Sequence, residues 1–340
     1  YTTRLDYALR RIAPERVVTP EVTDARDPQL FPRDGSLLLL YTDARGKESL
    51  VFGRELDADA NTTGPPRLLN ASDRDYAYDP TMARAPDGSY WLAYTEAEDK
   101  RVHDLYLRHL DRALNPLGKV ARVTSYAPPE KLRSVASFAD IYVSPQMIHL
   151  VYRLQRGLSY QVIQLRISPD APELSSGGLE HSQNMPAKSG GNADEDTDRF
   201  VGQVTVLSDD AGVQAQPRMT CLEAGCLTVW SDETHGAEAA LTSKDTGEVL
   251  WRKNFAPQGA RPSIGRQGTR AALVWYESDR VKVASIDVNG VGTPSVVAWV
   301  KGVQPYPEVV AGAEPGQWYI SWRAYEAAVF EPFVARVDCH

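Results

Sequence analysis

Asp-Pro-Thr-Met-Ala-Arg-Ala-Pro-Asp-Gly-Ser-Tyr-Trp-Leu-Ala-Tyr-Thr-Glu, residues 79–96, is the stretch that decides the fold. Its centre, Pro86-Asp87-Gly88, predicts a tight turn, because proline fixes φ, aspartate bonds its own backbone and glycine accepts a positive φ. The apolar run Tyr90–Tyr94 is too short for a surface helix and favours a buried strand. The stretch therefore predicts a strand, a turn and a second strand.

The same pattern recurs along the chain. Six copies can be aligned, and the last three begin 45 residues apart, a period typical of a four-stranded propeller blade. Third and fourth strands follow the first pair in most copies. The first strands of the six copies begin at Asp27, Asp79, Ser137, Gln216, Arg261 and Tyr306.

The two ends of the chain complement each other. The sixth copy reaches His340 before a fourth strand, and Glu15–Thr19 supplies a candidate for it. An N-terminal strand in the last blade closes a ring and hides its sheet edges. We therefore expect an all-β fold: a six-bladed β-propeller of four-stranded antiparallel blades, closed by an N-terminal strand, as one domain over residues 1–340.

Residues 169–199 break the repeat. They are rich in glycine, serine and aspartate and lie between the third and fourth strands of the third copy. Such composition cannot bury enough apolar surface to fold by itself. We expect a mobile, exposed insertion there.

Composition limits the partners. A net charge of −8 argues against nucleic acid and against anionic lipid surfaces. No apolar run reaches the length of a membrane span, so we expect no direct membrane insertion. The chain begins at Tyr1 without a starting methionine, which suggests a processed or excised form.

The cysteines indicate a compartment. Cys221 and Cys226 flank four residues that suit a hairpin turn, so we expect a disulfide between them; two free thiols are the alternative. Disulfides persist in oxidising environments, which predicts a periplasmic, cell-surface or secreted protein. Cys339 is left over.

In a propeller, the loops that precede the first strand and follow the second meet at one rim of the ring. Carboxylates there could share a proton, hold a cation or flank a glycosidic bond. The alternative is structural: each repeated acid caps turn N–H groups and each repeated aromatic residue packs between blades. The candidate binding residues of this rim are Asp27, Asp43, Asp79, Glu96, Arg153, Asp232, Arg261, Tyr306 and Arg323, with Glu277 as a further acid.

No cofactor is expected. The histidines show no metal-ligand spacing, and the chain has no Gly-Lys-Ser/Thr phosphate loop. The acidic run Asp194–Asp198 leaves calcium open, although it lacks the glycine and the terminal glutamate of an EF-hand loop.

Two blade starts resemble known enzymes. Arg26-Asp27-Pro28 and Tyr78-Asp79-Pro80, each followed by an Asp-Gly turn, are similar to motifs of the five-bladed glycoside hydrolases of the arabinanase and xylosidase type. The resemblance implies that Asp27 acts as general base and that Asp79 tunes the pKa of a partner. Two features depart from it: that family places a glutamate acid at a later blade start, and it has five blades rather than six.

Two further comparisons concern propellers more broadly. Sialidases need three arginines for a substrate carboxylate and a tyrosine nucleophile; Arg153, Arg261, Arg323 and Tyr306 are the candidates, although no motif places them. Nearly the whole chain resembles bacterial extracytoplasmic β-propeller repeat proteins, which implies a fold and little about activity.

These observations favour a non-catalytic binding or scaffolding module that recognises a protein or a glycan at the rim. One alternative is a glycoside hydrolase that uses Asp27 with Asp79, Glu96 or Glu277. Another is a structural subunit of a larger extracytoplasmic assembly.

Overall fold

Strands make up nearly all of the regular structure. The computed structural model describes residues 5, 8–19, 24–45, 48–70, 76–97, 102–126, 133–179, 198–208, 216–300, 305–326 and 329–338. Within these ranges the helical structure is α1 (Pro172–Ser176), and no helix there has the length and apolarity needed to cross a membrane. The all-β prediction is therefore confirmed.

The chain divides into two compact units. The first comprises residues 1–149, 154–157 and 166–203, and the second comprises 150–153, 158–165 and 204–340. Strands β11 (Ile148–Arg156), β12 (Ser159–Ile167) and β14 (Gln203–Ser208) contain residues of both units. The expectation of a single domain over residues 1–340 stays a prediction.

The first unit contains the four-stranded antiparallel sheet β1-β2-β3-β4, and its strands β5, β6, β7 and β8 belong to an eight-stranded sheet in which β10 runs parallel to β7. A short pair joins β9 to β13. Leucines and tyrosines of the central strands form the core between the sheets, among them Leu40, Leu92 and Tyr94. The strands are β1 (Ala25–Arg33), β2 (Ser36–Arg45), β3 (Glu48–Asp57), β4 (Arg67–Leu68), β5 (Ala77–Arg84), β6 (Tyr90–Ala97), β7 (Val102–Leu110), β8 (Ala121–Arg122), β9 (Thr124–Ser125), β10 (Ser134–Val143) and β13 (Arg199–Phe200).

The second unit contains three antiparallel sheets: β15-β16-β17-β18, β19-β20-β21-β22 with β23 also on β21, and β24-β25-β26. One apolar core, with Trp275, joins the first two sheets, and another, with Trp318, joins the last two. The strands are β15 (Arg218–Cys221), β16 (Cys226–Asp232), β17 (Gly236–Thr242), β18 (Val249–Ala256), β19 (Gly259–Gln267), β20 (Arg270–Glu277), β21 (Arg280–Asp287), β22 (Gly290–Val291), β23 (Ser295–Trp299), β24 (Glu308–Ala311), β25 (Gln317–Glu326) and β26 (Val329–Asp338).

Inner strands begin with a shared backbone irregularity. Asp27, Asp79 and Arg261 have φ of 51°, 49° and 53°, and each precedes a proline within a break in the strand register. Because both residues leave the hydrogen-bond ladder, the missing proline N–H costs nothing there. In the third copy the left-handed residue is Phe138, with φ of 53°, one residue after the predicted start at Ser137, and β10 itself begins at Ser134.

Two other predictions concern an N-terminal strand and a disulfide. Residues 15–19 are described and form no strand; Val18 packs instead against Leu39, Tyr41 and Leu56 of the first unit. Ring closure, and with it the count of six blades, stays a prediction. The predicted disulfide joins Cys221 to Cys226 across the β15–β16 turn.

Part of the predicted insertion is described. Helix α1 ends in a left-handed Gly177, and Gly178 forms a bridge with Arg122 of β8. Residues 180–197 lie outside the described residues, so the mobility expected of the insertion stays a prediction.

A buried ion pair fixes the outer strand β8. Arg122 Nη2 lies 2.5 Å from Asp104 Oδ2, and the side chains are 6% and 2% exposed. The other carboxylate oxygen of Asp104 accepts hydrogen bonds from Thr124 Oγ1 at 3.0 Å and from the Tyr126 N–H at 3.1 Å. Removing one partner leaves the other charge unpaired in the interior, where water cannot hydrate it.

We expect Asp104→Ala to lower the free energy of unfolding by about 3–5 kcal/mol. Asp111→Ala is the comparison, since it removes a half-buried aspartate just after β7 that accepts turn hydrogen bonds from Ala113 and Asn115 but leaves no buried charge unpaired, and it should cost clearly less. Urea denaturation measures both. A loss for Asp104→Ala no larger than that of the control would contradict this account of β8.

Candidate functional site

A cleft in the second unit brings together residues from the starts of its inner strands. It is shallow, and its cavity volume is about 20 Å³. Its walls include two buried prolines, and its remaining lining is polar or charged. The lining residues are Gln216, Arg218, Arg261, Pro262, Tyr306, Pro307 and Glu308.

Tyr306 is stacked between two arginines. The Arg261 guanidinium carbon lies 3.6 Å from the Tyr306 ring centroid, and that of Arg323 lies 3.9 Å from it. Two guanidinium groups this near the centroid cannot share one face of the ring, so they lie on opposite faces. We call Arg261, Tyr306 and Arg323 the arginine clamp.

The fold explains the clamp. The register of β24 with β25 pairs Glu308 with Ser321, which carries Tyr306 opposite Arg323. Arg261 is the left-handed residue at the start of β19, the strand next to β24. The clamp therefore joins the starts of two neighbouring sheets.

The clamp concentrates positive charge. The two guanidinium carbons are about 7 Å apart across the ring, where their repulsion is about 2 kcal/mol at the dielectric constant near 20 of a protein surface. Partial burial lowers the pKa of Arg261 and the Arg323 charge lowers it further, against an opposing effect of Tyr306. Each stacking contact with the ring offsets roughly 0.5–2 kcal/mol. An anion at the edge of the Tyr306 ring, within reach of both guanidinium groups, would relieve the repulsion that remains.

Glu308, at the start of β24, contacts residues at the starts of the two preceding sheets. Its Oε1 lies 3.3 Å from Arg218 Nη2, and its Oε2 accepts a hydrogen bond from Ser263 Oγ at 2.6 Å. Arg218, Ser263 and Glu308 each follow the proline of a blade start, in Gln216-Pro217-Arg218, Arg261-Pro262-Ser263 and Tyr306-Pro307-Glu308. Arg218 and Glu308 are not among the predicted binding residues, although their shared position after the proline of a blade start is a sequence signal for them.

The predicted acids of the first unit lie near the starts of β1 and β5 and the ends of β2 and β6. Asp79 Oδ2 accepts a hydrogen bond from the Phe138 N–H at 3.3 Å, a structural role. Asp43 and Glu96 are buried near the ends of β2 and β6. Crowding by protein atoms raises the pKa of Asp27, and the Arg26 charge partly offsets that rise.

Two predicted acids of the second unit also have structural partners. Asp232 accepts hydrogen bonds from the N–H groups of Thr234 and His235 at 2.6 and 2.8 Å, so it caps the β16–β17 turn. Glu277 accepts hydrogen bonds from Lys282 Nζ at 2.5 Å and Trp275 Nε1 at 3.2 Å. The aromatic residues two positions before the four repeated acids Asp43, Glu96, Asp232 and Glu277 are all buried, as the structural alternative predicts. They are Tyr41, Tyr94, Trp230 and Trp275.

The remaining candidates lie elsewhere. Arg153 stacks on Tyr160 at 5.4 Å and is not among the residues that line the cleft. Of the acidic run proposed for calcium, residues 194–197 lie outside the described residues. Asp198, the last of them, is paired with Arg156.

Comparison with known proteins bears on the fold. No protein-family model matches the chain, and no curated protein does. A protein of unknown function from Dyadobacter fermentans is similar in structure, with a TM-score of 0.60 at 12% identity, over 92% of this chain and 93% of that one.

Two further solved structures are similar. The N10 neuraminidase-like protein of A/little yellow-shouldered bat/Guatemala/060/2010 has a TM-score of 0.52 at 8% identity, over 93% of each chain. A Trypanosoma rangeli sialidase has a TM-score of 0.49 at 10% identity, over 98% of this chain and 56% of that one. At such identities likeness bears on fold alone, and the chain has a β-propeller-like fold.

The Glu277 contacts predict a pH dependence. Burial favours a higher pKa for Glu277, but hydrogen bonds from Lys282 and Trp275 and the Lys282 charge outweigh it and hold the pKa below its usual value. A carboxyl group with a depressed folded-state pKa stabilises the fold above its unfolded-state pKa of about 4.3, and that contribution is lost as the pH falls.

We therefore expect Glu277→Gln to be less stable than the wild type at pH 7, with a difference that shrinks below about pH 4.3. Lys282→Met removes the same pair from the other side and should show the same trend. Urea midpoints between pH 3 and 7 measure it. A stability difference that grows on acidification would contradict this description of Glu277.

Proposed function

We propose that the protein is a non-catalytic binding module that recognises a carboxylate-bearing glycan at the arginine clamp. The observation that carries the proposal is the stack of Arg261, Tyr306 and Arg323. Guanidinium groups match carboxylates in geometry as well as in charge, and they can bind them through paired hydrogen bonds. In a chain with a net charge of −8, the two stacked arginines of the clamp are a local reversal of the overall charge.

The acids support binding over catalysis. A glycosidase of the common type needs two carboxyl groups that face one bond, with room between them for the sugar. Asp79, Asp232 and Glu277 hold backbone or side-chain donors of the protein instead. A site in an oxidising compartment is part of the proposal, and the Cys221–Cys226 disulfide supports it.

One observation favours a second candidate, a glycoside hydrolase. Asp27 is the left-handed residue before the proline of a blade start, the position that the resemblance to glycoside hydrolases assigns to a catalytic carboxylate, and its pKa is raised by surrounding protein atoms. Under this alternative Asp27 would act with another carboxylate of the first unit, and the clamp would bind elsewhere on the substrate.

Binding can be tested on immobilised glycans that end in uronic or sialic acids, with neutral glycans as the reference. We expect the wild type to retain only acidic glycans and Arg323→Gln to weaken binding roughly 10- to 100-fold, the loss of charged hydrogen bonds. Arg336→Gln, which alters an exposed arginine of β26, should bind as the wild type does. Equal retention of neutral glycans, or unchanged binding by Arg323→Gln, would overturn the proposal.

Catalysis can be tested with the same purified protein. We expect no reducing sugar to be released from arabinan, xylan or polygalacturonate by the wild type. Release that disappears in both Asp27→Asn and Asp79→Asn would establish the hydrolase instead, because each change keeps the side-chain shape and removes the charge.

A further inference from the structure

The cleft beside the arginine clamp also contains a carboxylate. Glu308 lines the same cleft as Arg261 and is the acid among its lining residues. The Glu308 side chain is 49% exposed, so solvent reaches it. The proposed function uses the positive charges of the cleft and gives this carboxylate no role. A site that holds an acceptor as well as donors in fixed positions can recognise more of a ligand than its charge.

The protein holds the Glu308 carboxylate in place and leaves part of it open. Ser263, whose side chain is buried, donates a hydrogen bond from Oγ to Glu308 Oε2 at 2.6 Å. Arg218 Nη2 lies 3.3 Å from Oε1, just beyond the usual range of such hydrogen bonds. A carboxylate has about four acceptor positions, and these contacts within the described residues occupy two. Glu308 therefore keeps acceptor positions for a ligand.

The contacts between β19 and β24 set the spacing of the two charges. Arg261 stacks on Tyr306, and two residues farther along each chain Ser263 contacts Glu308. Two residues span at most about 7 Å of chain. The cations of the clamp and the Glu308 carboxylate are therefore close enough to contact one sugar ring at the same time.

Two prolines separate these contacts. Pro262 and Pro307 line the cleft and are buried. Because proline has no backbone N–H, these two residues offer a ligand no backbone donor. Their ring carbons instead present an apolar surface, which suits the C–H groups on the face of a sugar. The polar groups of a ligand then meet side chains, with cations at one end of the cleft and a carboxylate at the other.

The balance of charge favours hydroxyl groups as the partners of Glu308. Arg218 contacts Glu308, and Arg261 and Arg323 stack on Tyr306, so three positive charges lie near one negative charge. A ligand ammonium group would add another positive charge and be repelled. A hydroxyl group adds no charge, and its hydrogen bond is strengthened because the acceptor is ionised.

We propose that Glu308 is a specificity-determining residue, which accepts hydrogen bonds from the ring hydroxyls of a sugar acid whose carboxylate lies in the arginine clamp. This inference rests on the proposed function and narrows its ligand from any carboxylate to a hydroxylated sugar acid. Ser263 is a positioning residue, since it acts through Glu308.

Ligand-observed NMR titration with two acids tests the proposal. Galacturonic acid has a carboxylate and ring hydroxyls, whereas tetrahydropyran-2-carboxylic acid has the same ring and carboxylate without hydroxyls. We expect the wild type to bind galacturonic acid at least about tenfold more tightly, from hydrogen bonds to a charged acceptor. Glu308→Gln should lose most of this preference. It should bind the hydroxyl-free acid at least as tightly as the wild type does, because it lacks a negative charge near the ligand carboxylate.

Two further variants accompany this experiment. Glu314→Gln removes an exposed acid in the β24–β25 turn, at the other end of β24 from Glu308, and should bind both acids as the wild type does. Ser263→Ala removes the hydrogen bond that orients Glu308, so it should reduce the preference for galacturonic acid by a smaller factor.

The outcomes separate this inference from the proposed function. Equal affinity of the wild type for the two acids, or an unchanged preference in Glu308→Gln, overturns the role of Glu308 while the clamp stands. A parallel loss of both affinities in Glu308→Gln makes Glu308 structural and also overturns it. Binding of neither acid by the wild type overturns both proposals. If Glu308→Gln fails to fold, an unchanged preference in Ser263→Ala contradicts the inference.

Discussion

The left-handed residue at the start of an inner strand is the constraint on which the rest of the structure depends. A non-glycine residue pays roughly 1–2 kcal/mol for this conformation. The register break re-aims the residue toward the start of the next sheet. Asp79 thus contacts Phe138 in the first unit, and Arg261 contacts Tyr306 in the second. The same local geometry produces a structural cap in one place and a candidate binding site in the other.

The two positions differ in side-chain chemistry, with a carboxylate at Asp79 and a guanidinium at Arg261. Asp79 accepts the Phe138 N–H with one carboxylate oxygen, a contact that serves the fold. A guanidinium carries its donors at the edge of a plane, and stacking on Tyr306 uses the face of that plane. Arg323 adds a second positive charge on the other face of the ring. The clamp is therefore suited to a carboxylate, whereas the repeated acids serve the fold.

The repeat could be predicted because each copy contains a proline-led start, a turn and a short apolar strand. Strand β17, Gly236–Thr242, was missed because it is rich in alanine, which has little preference for strands; its complete burial overrides that propensity. Arg261, Tyr306 and Arg323 were found from their positions in the repeat. Their mutual stacking was not, because it depends on the register of β24 with β25 and on the packing of two sheets.

The account is tested most directly by a crystal structure of the protein soaked with galacturonic acid. It predicts the sugar carboxylate within hydrogen-bonding distance of both Arg261 and Arg323, with the Tyr306 ring still between the two guanidinium groups. A sugar bound instead beside Asp27 and Asp79, with the clamp empty, would contradict it.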